Sequence, residues 1–158
     1  MPRREAVRSE WQGLGFQIGG MRLVAPIADV GELMKVPRLA RVPVVKPWMR
    51  GIANNRGRLV PIVDLHIYLG IEPVLPVNQW RVLLVEHQQM TVGLIVEQSL
   101  GIQHFLEDSF EAGSNENLGA LTPHIKGTFR HGGRVFYHVR LKTIFEDANF
   151  LDVELTQG

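Results

Sequence analysis

The sequence predicts an all-β fold assembled from short strands, and three observations carry that prediction. Short apolar runs recur with turn residues between them. Phe16 and Ile18 precede Gly19-Gly20 and the run Met21 to Ile27, and Arg81 to Glu86 leads through His87-Gln88-Gln89-Met90 into Thr91 to Val96. The chain carries 16 Gly and 9 Pro, and strands punctuated in this way point to small barrels or a sandwich. The sequence also repeats itself weakly. At an offset of 76 residues Arg50-Gly51 falls on Lys126-Gly127, Gly57-Arg58-Leu59-Val60 on Gly133-Arg134-Val135-Phe136, and Leu65 on Leu141. At an offset of 69, Gly19-Gly20-Met21 falls on Gln88-Gln89-Met90. Two related units are expected, each a strand hairpin, a connection, and a second hairpin running into a short helix.

The elements follow in order. Met1 to Glu10 is polar and aperiodic and reads as an arm, with strand expected from Gly15. Gly19-Gly20 suits a tight hairpin because glycine tolerates positive φ, and Pro26 marks an edge or a bulge because proline cannot donate to a ladder. Val30 to Val36 is a further apolar stretch, and Pro37, Pro43 and Pro47 punctuate an extended connection after it. Arg50 to Leu65 reads as strand, turn at Asn55 to Gly57, strand. Asp64 is placed to cap a short helix, Leu65 to Leu69, that stops at Gly70. Asp108 to Thr122 reads as an acidic loop with at most one helical turn, Ile125 to Leu141 as a hairpin. Leu141, Ile144, Phe145 and Ala148 recur at the spacing of a C-terminal amphipathic helix.

At 158 residues the chain buries enough surface to fold without a disulfide or metal staple. The absence of cysteine excludes disulfide frameworks, thiolate zinc sites and thiol nucleophiles. No apolar run approaches the roughly 18 residues of a membrane helix. The charged start is followed by no apolar segment of a secretory signal, so a cytoplasmic protein without direct membrane insertion is expected. Net charge is +1, against a nucleic-acid binder that relies on bulk electrostatics. The charges are uneven, however. From Lys35 to Arg58 there are seven Lys and Arg and no acid; from Glu97 to Asn117 there are five acids and no Lys or Arg. Such a division gives solvated faces of opposite sign, or steers a charged partner. An alternative function, oligonucleotide binding by small barrels through the 35–58 stretch, rests on it.

No constellation argues for catalysis. Gly13 to Gly19 imitates a dinucleotide fingerprint, but Ile18 stands where the last glycine belongs and the segment precedes a strand. Gly51 to Arg58 lacks the Gly-Lys-Ser/Thr ending of a P-loop. His66, His87, His104, His124, His131 and His138 make no metal spacing, although His131 and His138 belong to one hairpin and could approach across it. No serine stands in a nucleophile elbow, and Asp29, Glu32 and Asp64 offer no evident carboxylate pair. Trp11, Trp48 and Trp80 are scattered, as core or junction residues are rather than a stacking platform. Neither metal nor cofactor is expected. Arg56 projects from its turn, with Glu32 as the candidate partner.

The string Val30-Gly31-Glu32-Leu33, followed by Trp48-Met49-Arg50-Gly51-Ile52-Ala53-Asn54-Asn55-Arg56-Gly57-Arg58-Leu59-Val60-Pro61-Ile62-Val63-Asp64-Leu65, resembles the signature of the CheW family of chemotaxis coupling proteins. Val92 to Glu97 and Lys126-Gly127 fall where that family places matching residues, and the resemblance runs from about Gly15 to Glu146. Trp11-x-Gly-Leu-Gly-Phe16, Val24-Ala25-Pro26, Val85 to Gln88 and Gly101 to Phe105 are similar to the subgroup serving type IV pili and twitching motility. The resemblance implies two interleaved five-stranded SH3-like β-barrel subdomains around a shared core, spanning 13–148 between an arm, 1–12, and a tail, 149–158.

It also implies an adaptor without catalysis. One surface would bind the regulatory domain of a CheA-type histidine kinase, and the groove between subdomains would take the cytoplasmic tip of a methyl-accepting chemotaxis receptor. Carried over by position, Glu32, Leu33 and Arg56 belong to the kinase surface. Val30, Gly51, Gly57 and Gly93 belong chiefly to the receptor groove, although each of these four also has an architectural explanation. Asn55 departs from the family's leucine, and an amide there is expected to be exposed or hydrogen-bonded.

Overall fold

In the computed structural model, which describes residues 9–37, 47–113 and 116–147, eleven strands form two sheets. The strands are β1 (Glu10–Ile18), β2 (Met21–Pro26), β3 (Glu32–Lys35), β4 (Met49–Asn55), β5 (Arg58–Asp64), β6 (Arg81–His87), β7 (Met90–Val96), β8 (Gln98–Leu106), β9 (Glu111–Ala112), β10 (Ile125–His131) and β11 (Arg134–Val139). Two five-residue helices, α1 (Leu65–Leu69) and α2 (Leu141–Phe145), follow β5 and β11. The first sheet has the order β8-β1-β2-β11-β10-β9 and the second β3-β6-β7-β5-β4. The first thus gains β9, a two-residue sixth strand, where five were expected.

The repeat read from the sequence is a repeat of structure. Met49, Arg58 and Leu65 open β4, β5 and α1, and Ile125, Arg134 and Leu141, each 76 residues later, open β10, β11 and α2. Both hairpins carry a bulge at the same place, Met49/Gly51 in one and Ile125/Gly127 in the other. The two units are exchanged across the sheets. The hairpin β1–β2 joins β8, β10 and β11 of the later unit, while β6–β7 joins β3, β4 and β5 of the earlier one. Each exchanged hairpin is held on both sides, by the parallel pairings β2·β11 and β5·β7 and by the antiparallel pairings β1·β8 and β3·β6; the remaining pairings are antiparallel.

This exchange explains why β2 and β7 read as continuous apolar runs. Leu94 and Val96 of β7 enter a core shared by both sheets, with Phe16, Leu23, Val63, Leu83 and Tyr137, while Ile95 enters a smaller core inside the second sheet with Val60, Ile62 and Val82. Leu23 and Ala25 of β2 face the shared core, and Val24 faces a third cluster with Phe105, Phe129 and Phe136. Strands buried on both faces lose the polar alternation of a one-sided sheet.

Local chemistry sets the ends of α1. Asp64 caps it, its Oδ1 accepting from His66 N at 2.9 Å, and Gly70 closes it at φ 67°, ψ 36°. The expected Gly19-Gly20 hairpin forms, and β1 starts at Glu10, earlier than expected. Glu10 and Trp11 pair with Leu106 and Phe105 of β8, so residues 10–12, assigned above to the arm, belong to the sheet. Pro43, Ala148 and the tail 149–158 lie outside the described residues, as do 1–8 of the arm. The loop expected over 108–122 holds β9 and two 3-10 turns, Glu107–Ser109 and Gly119–His124.

One carboxylate joins the two sheets. Glu97, 0% exposed, sits where the chain leaves β7 of the second sheet for β8 of the first. Its Oε1 accepts from Gly19 N at 2.6 Å in the β1–β2 turn and lies 3.1 Å from His66 Nε2. Its Oε2 accepts from Val74 N at 2.6 Å and from Leu75 N. Those amides have no strand partner, and a buried N–H left without an acceptor costs about 1–3 kcal/mol. Glu97→Gln is expected to lower the unfolding free energy by about 3–5 kcal/mol in urea titrations, as breaking a buried charged network does. Amide hydrogen exchange at Gly19, Val74 and Leu75 should accelerate together in that variant.

Candidate functional site

Glu32 lies on β3 and Arg56 in the β4–β5 turn, and β3 and β4 are the opposite edges of the second sheet. Arg56 Nη2 nevertheless donates to Glu32 Oε2 at 3.2 Å. The sheet therefore curls until its edges approach, and the ion pair clasps them. Arg56 and Gly57 have φ of 56° and 81°, the two positive values of a type I′ turn, and Asn54 Oδ1 accepts from Gly57 N at 2.9 Å. The turn thus holds the arginine out beside the opposite edge. Being exposed, the pair contributes only about 0.2–1 kcal/mol to stability.

The other residues singled out in the sequence occupy different environments. Leu33 alternates with Glu32 on β3 and is 38% exposed. Leu59, which the sequence reading did not single out, stands 72% exposed on β5 opposite Asn54. Val30 is half-buried against the shared core. Gly51 is buried at the β4 bulge with φ 147°, and Gly57 is in the exposed turn. Gly93 is buried on β7, where an added Cβ would lie 2.6 Å from Ile62 Cδ1 and 2.8 Å from Val82 Cγ1. Gly93 can thus affect a partner surface only through packing. Asn55 is half-exposed, so the substitution buries no amide.

Three of the four described cations of the basic stretch are engaged. Arg50 pairs with Asp64 at 3.8 Å, Arg56 with Glu32, and Arg58 Nη2 donates to Thr91 Oγ1 at 2.7 Å. Arg38, Arg41 and Lys46 lie outside the described residues. The tryptophans occupy separate places: Trp11 stacks on Phe129, Trp48 meets Tyr68 edge-on, and Trp80 stacks on His66. The three tryptophans therefore share no face.

Sequence reasoning missed the buried polar cluster and found no carboxylate pair. The structure brings Asp64 and Glu97 onto His66, which is 3% exposed, with Nδ1 3.1 Å from Asp64 Oδ1 and Nε2 3.1 Å from Glu97 Oε1. Both ring nitrogens face acidic oxygens, an arrangement that favours the protonated imidazole. Burial opposes its charge, but the hydrogen bonds and charges of the two acids outweigh burial and raise its pKa above 6.5. All three side chains are closed off from solvent, and the cluster ties the end of β5, the start of α1 and the β7–β8 junction together. A lone Glu ending the apolar run of β7 was the one sequence signal for it. His131 and His138 do not approach across their hairpin, because they pair with Arg134 and Gly127 towards its opposite ends.

The Glu32–Arg56 clasp and the repeat with exchanged hairpins can now be set beside known proteins. Residues 12–149 match the CheW-like domain. The chain belongs to that family. Protein PilI of Pseudomonas aeruginosa is 42% identical over 151 residues, covering 96% of this chain and 84% of that protein. Chemotaxis protein CheW of Thermotoga maritima is 22% identical over 139 residues, covering 87% and 89%. The crystal structure of scaffolding protein TtCheW from Thermoanaerobacter tengcongensis superposes with a TM-score of 0.80 at 22% identity, covering 92% of this chain and 99% of that one. As a CheW-like protein the chain is a coupling adaptor of a chemosensory pathway. Among the described residues no helix is long and apolar enough to cross a membrane.

Two expected outcomes follow from this geometry. Gly93→Ala should cost about 1–3 kcal/mol by overpacking. Gly57→Ala, which meets open space but keeps a positive φ, should cost about 1 kcal/mol; urea unfolding measures both. The histidines act in separate pH windows. Burial, with Lys126 and Arg140 nearby, pushes the His138 imidazole down to about 4. The unfolded chain then binds the proton first, so the stability due to His138 is full above pH 6.5 and is lost as pH falls towards 4, by up to about 3 kcal/mol. His66, with its pKa raised, contributes fully below 6.5 and loses that contribution as pH rises through the folded value. His138→Gln should flatten the acid limb of stability against pH and leave the alkaline limb in place.

Proposed function

We propose that this chain is a non-catalytic adaptor that holds a CheA-type histidine kinase, through the kinase's regulatory domain, beside the cytoplasmic tip of a methyl-accepting chemotaxis receptor. The observation that carries the kinase surface is the Glu32–Arg56 clasp at 3.2 Å, flanked by the exposed Leu33 and Leu59. An exposed ion pair of low intrinsic stability beside two uncovered leucines is suited to recognition: the charges fix register and the leucines bury apolar area on docking. Val30, beside the shared core, and the backbone at Gly51 and Gly57 make up the receptor side, with Gly93 shaping it through packing. A small movement of the receptor tip would change kinase activity through contacts that differ between two states of the assembly. Membership of the CheW-like family supports the adaptor role, and likeness to PilI supports its assignment to the system that controls type IV pili. The adaptor works in the cytoplasm, where both partners present their surfaces.

Titration calorimetry against the regulatory domain of the CheA-type kinase from the same genome tests the kinase surface. Saturable one-to-one binding is expected, weakened at least tenfold by Arg56→Glu, about 1.4 kcal/mol, with the thermal transition nearly unchanged. The Glu32→Arg, Arg56→Glu double variant restores opposite charges but reverses the field. It should stay weak if these side chains meet the kinase and recover if they only clasp the sheet. Full-strength binding by Arg56→Glu would remove the residue from the interface.

A further inference from the structure

The first sheet carries a cleft lined by none of the residues assigned above to the kinase and receptor surfaces. Its inner part, about 190 Å³, is lined by Trp11, Phe110, Lys126, Phe129 and His138. An outer groove of about 540 Å³ shares Trp11, Lys126 and His138 and extends to Arg140 and Lys142. His138 lies at the junction, 6% exposed. Its ring is 4.8 Å from Trp11, 5.9 Å from Phe110 and 6.1 Å from Phe129 between centroids, and neither ring nitrogen has a hydrogen-bond partner among the described residues. An unpartnered buried imidazole is costly, and buried polar groups are with few exceptions satisfied. Lys126, Arg140 and Lys142 likewise form no ion pair among the described residues, whereas Arg50 and Arg56 do. Asp29, Glu107 and Glu146 also line the cleft, but the charges that bear on the His138 imidazole are those of Lys126 and Arg140.

We propose that this cleft binds a small aromatic carboxylate, its ring against Trp11 and Phe110 and its anionic group between Lys126 and Arg140, accepting a hydrogen bond from the His138 imidazole. Aromatic walls with a few convergent polar groups are the composition of a small-molecule site, and the volume suits one or two fused rings. A neutral imidazole donates from one nitrogen without bringing a buried charge, and the two exposed cations supply the attraction. The site lies on the sheet opposite the Glu32–Arg56 clasp, so it is a second site rather than part of the kinase surface.

The test uses 2-naphthoate as probe, followed by NMR at the Trp11 indole N–H and the His138 ring of the full chain. Saturable shifts at both, with a Kd below about 1 mM, are expected. The neutral isostere 2-naphthamide and the ringless anion acetate should each bind at least tenfold more weakly. Lys126→Gln and Arg140→Gln, both at exposed unpaired positions that leave folding intact, should each weaken 2-naphthoate at least threefold. Equal binding of naphthoate and naphthamide would overturn the anion site. So would shifts confined to Trp48 or Trp80, undiminished binding in both variants, or no saturation with the protein folded.

Discussion

The carboxylate of Glu97 is the interaction on which the arrangement of the two sheets depends. The chain crosses from the second sheet to the first at that residue, and the crossing leaves amides of the β1–β2 turn and of the 74–75 connection without strand partners. One acidic side chain, closed off from solvent, accepts from Gly19, Val74, Leu75 and His66 at once. No apolar residue could replace it without leaving several donors unsatisfied, and the surrounding low dielectric strengthens each of those bonds. Through His66 the same charge reaches Asp64, the cap of α1, so one network sets the end of β5, the start of α1 and the contact between sheets.

A coupling adaptor needs its two halves held in fixed relation, and the exchanged hairpins supply this a second time. Each sheet contains strands from both repeats, so neither sheet can be completed without the other unit of the chain. The shared core and the Glu97 network then bear the energy, which leaves the surface free to be chosen for recognition. The Glu32–Arg56 pair adds little to stability but places a charge of each sign at a curled sheet edge. The cleft around His138 is the reverse case, where a buried polar group lacks, among the described residues, the satisfaction that Glu97 and His66 have.

Much of the strand order was legible because turn chemistry and capping are local. Asp64 and Gly70 bound α1 where expected, and the offset of 76 residues located one hairpin from the other. β8 was not read as a strand. It is an edge strand whose residues are exposed or half-buried, with Phe105 its one fully buried side chain, so no apolar pattern marks it. The early start of β1 was hidden for the same reason, since Glu10 and Trp11 are ordered by pairing with β8. Within the candidate site, the Glu32–Arg56 pairing was anticipated from a turn and a candidate acid. Gly93 was carried over to a partner surface by its position in the family resemblance, and such a position does not reveal that Ile62 and Val82 close over it.

By itself the sequence determined the all-β class, the hairpins, the caps of α1, the twofold repeat and the family. All of these depend on spacings within a few residues or on a string that can be compared directly. The tertiary structure alone decided which hairpin joins which sheet, that Asp64 and Glu97 converge on His66, and that His138 faces a cleft walled by Trp11 and Phe129. Those outcomes bring together residues far apart in the chain, and apolar periodicity records which face of a strand is buried without recording what buries it.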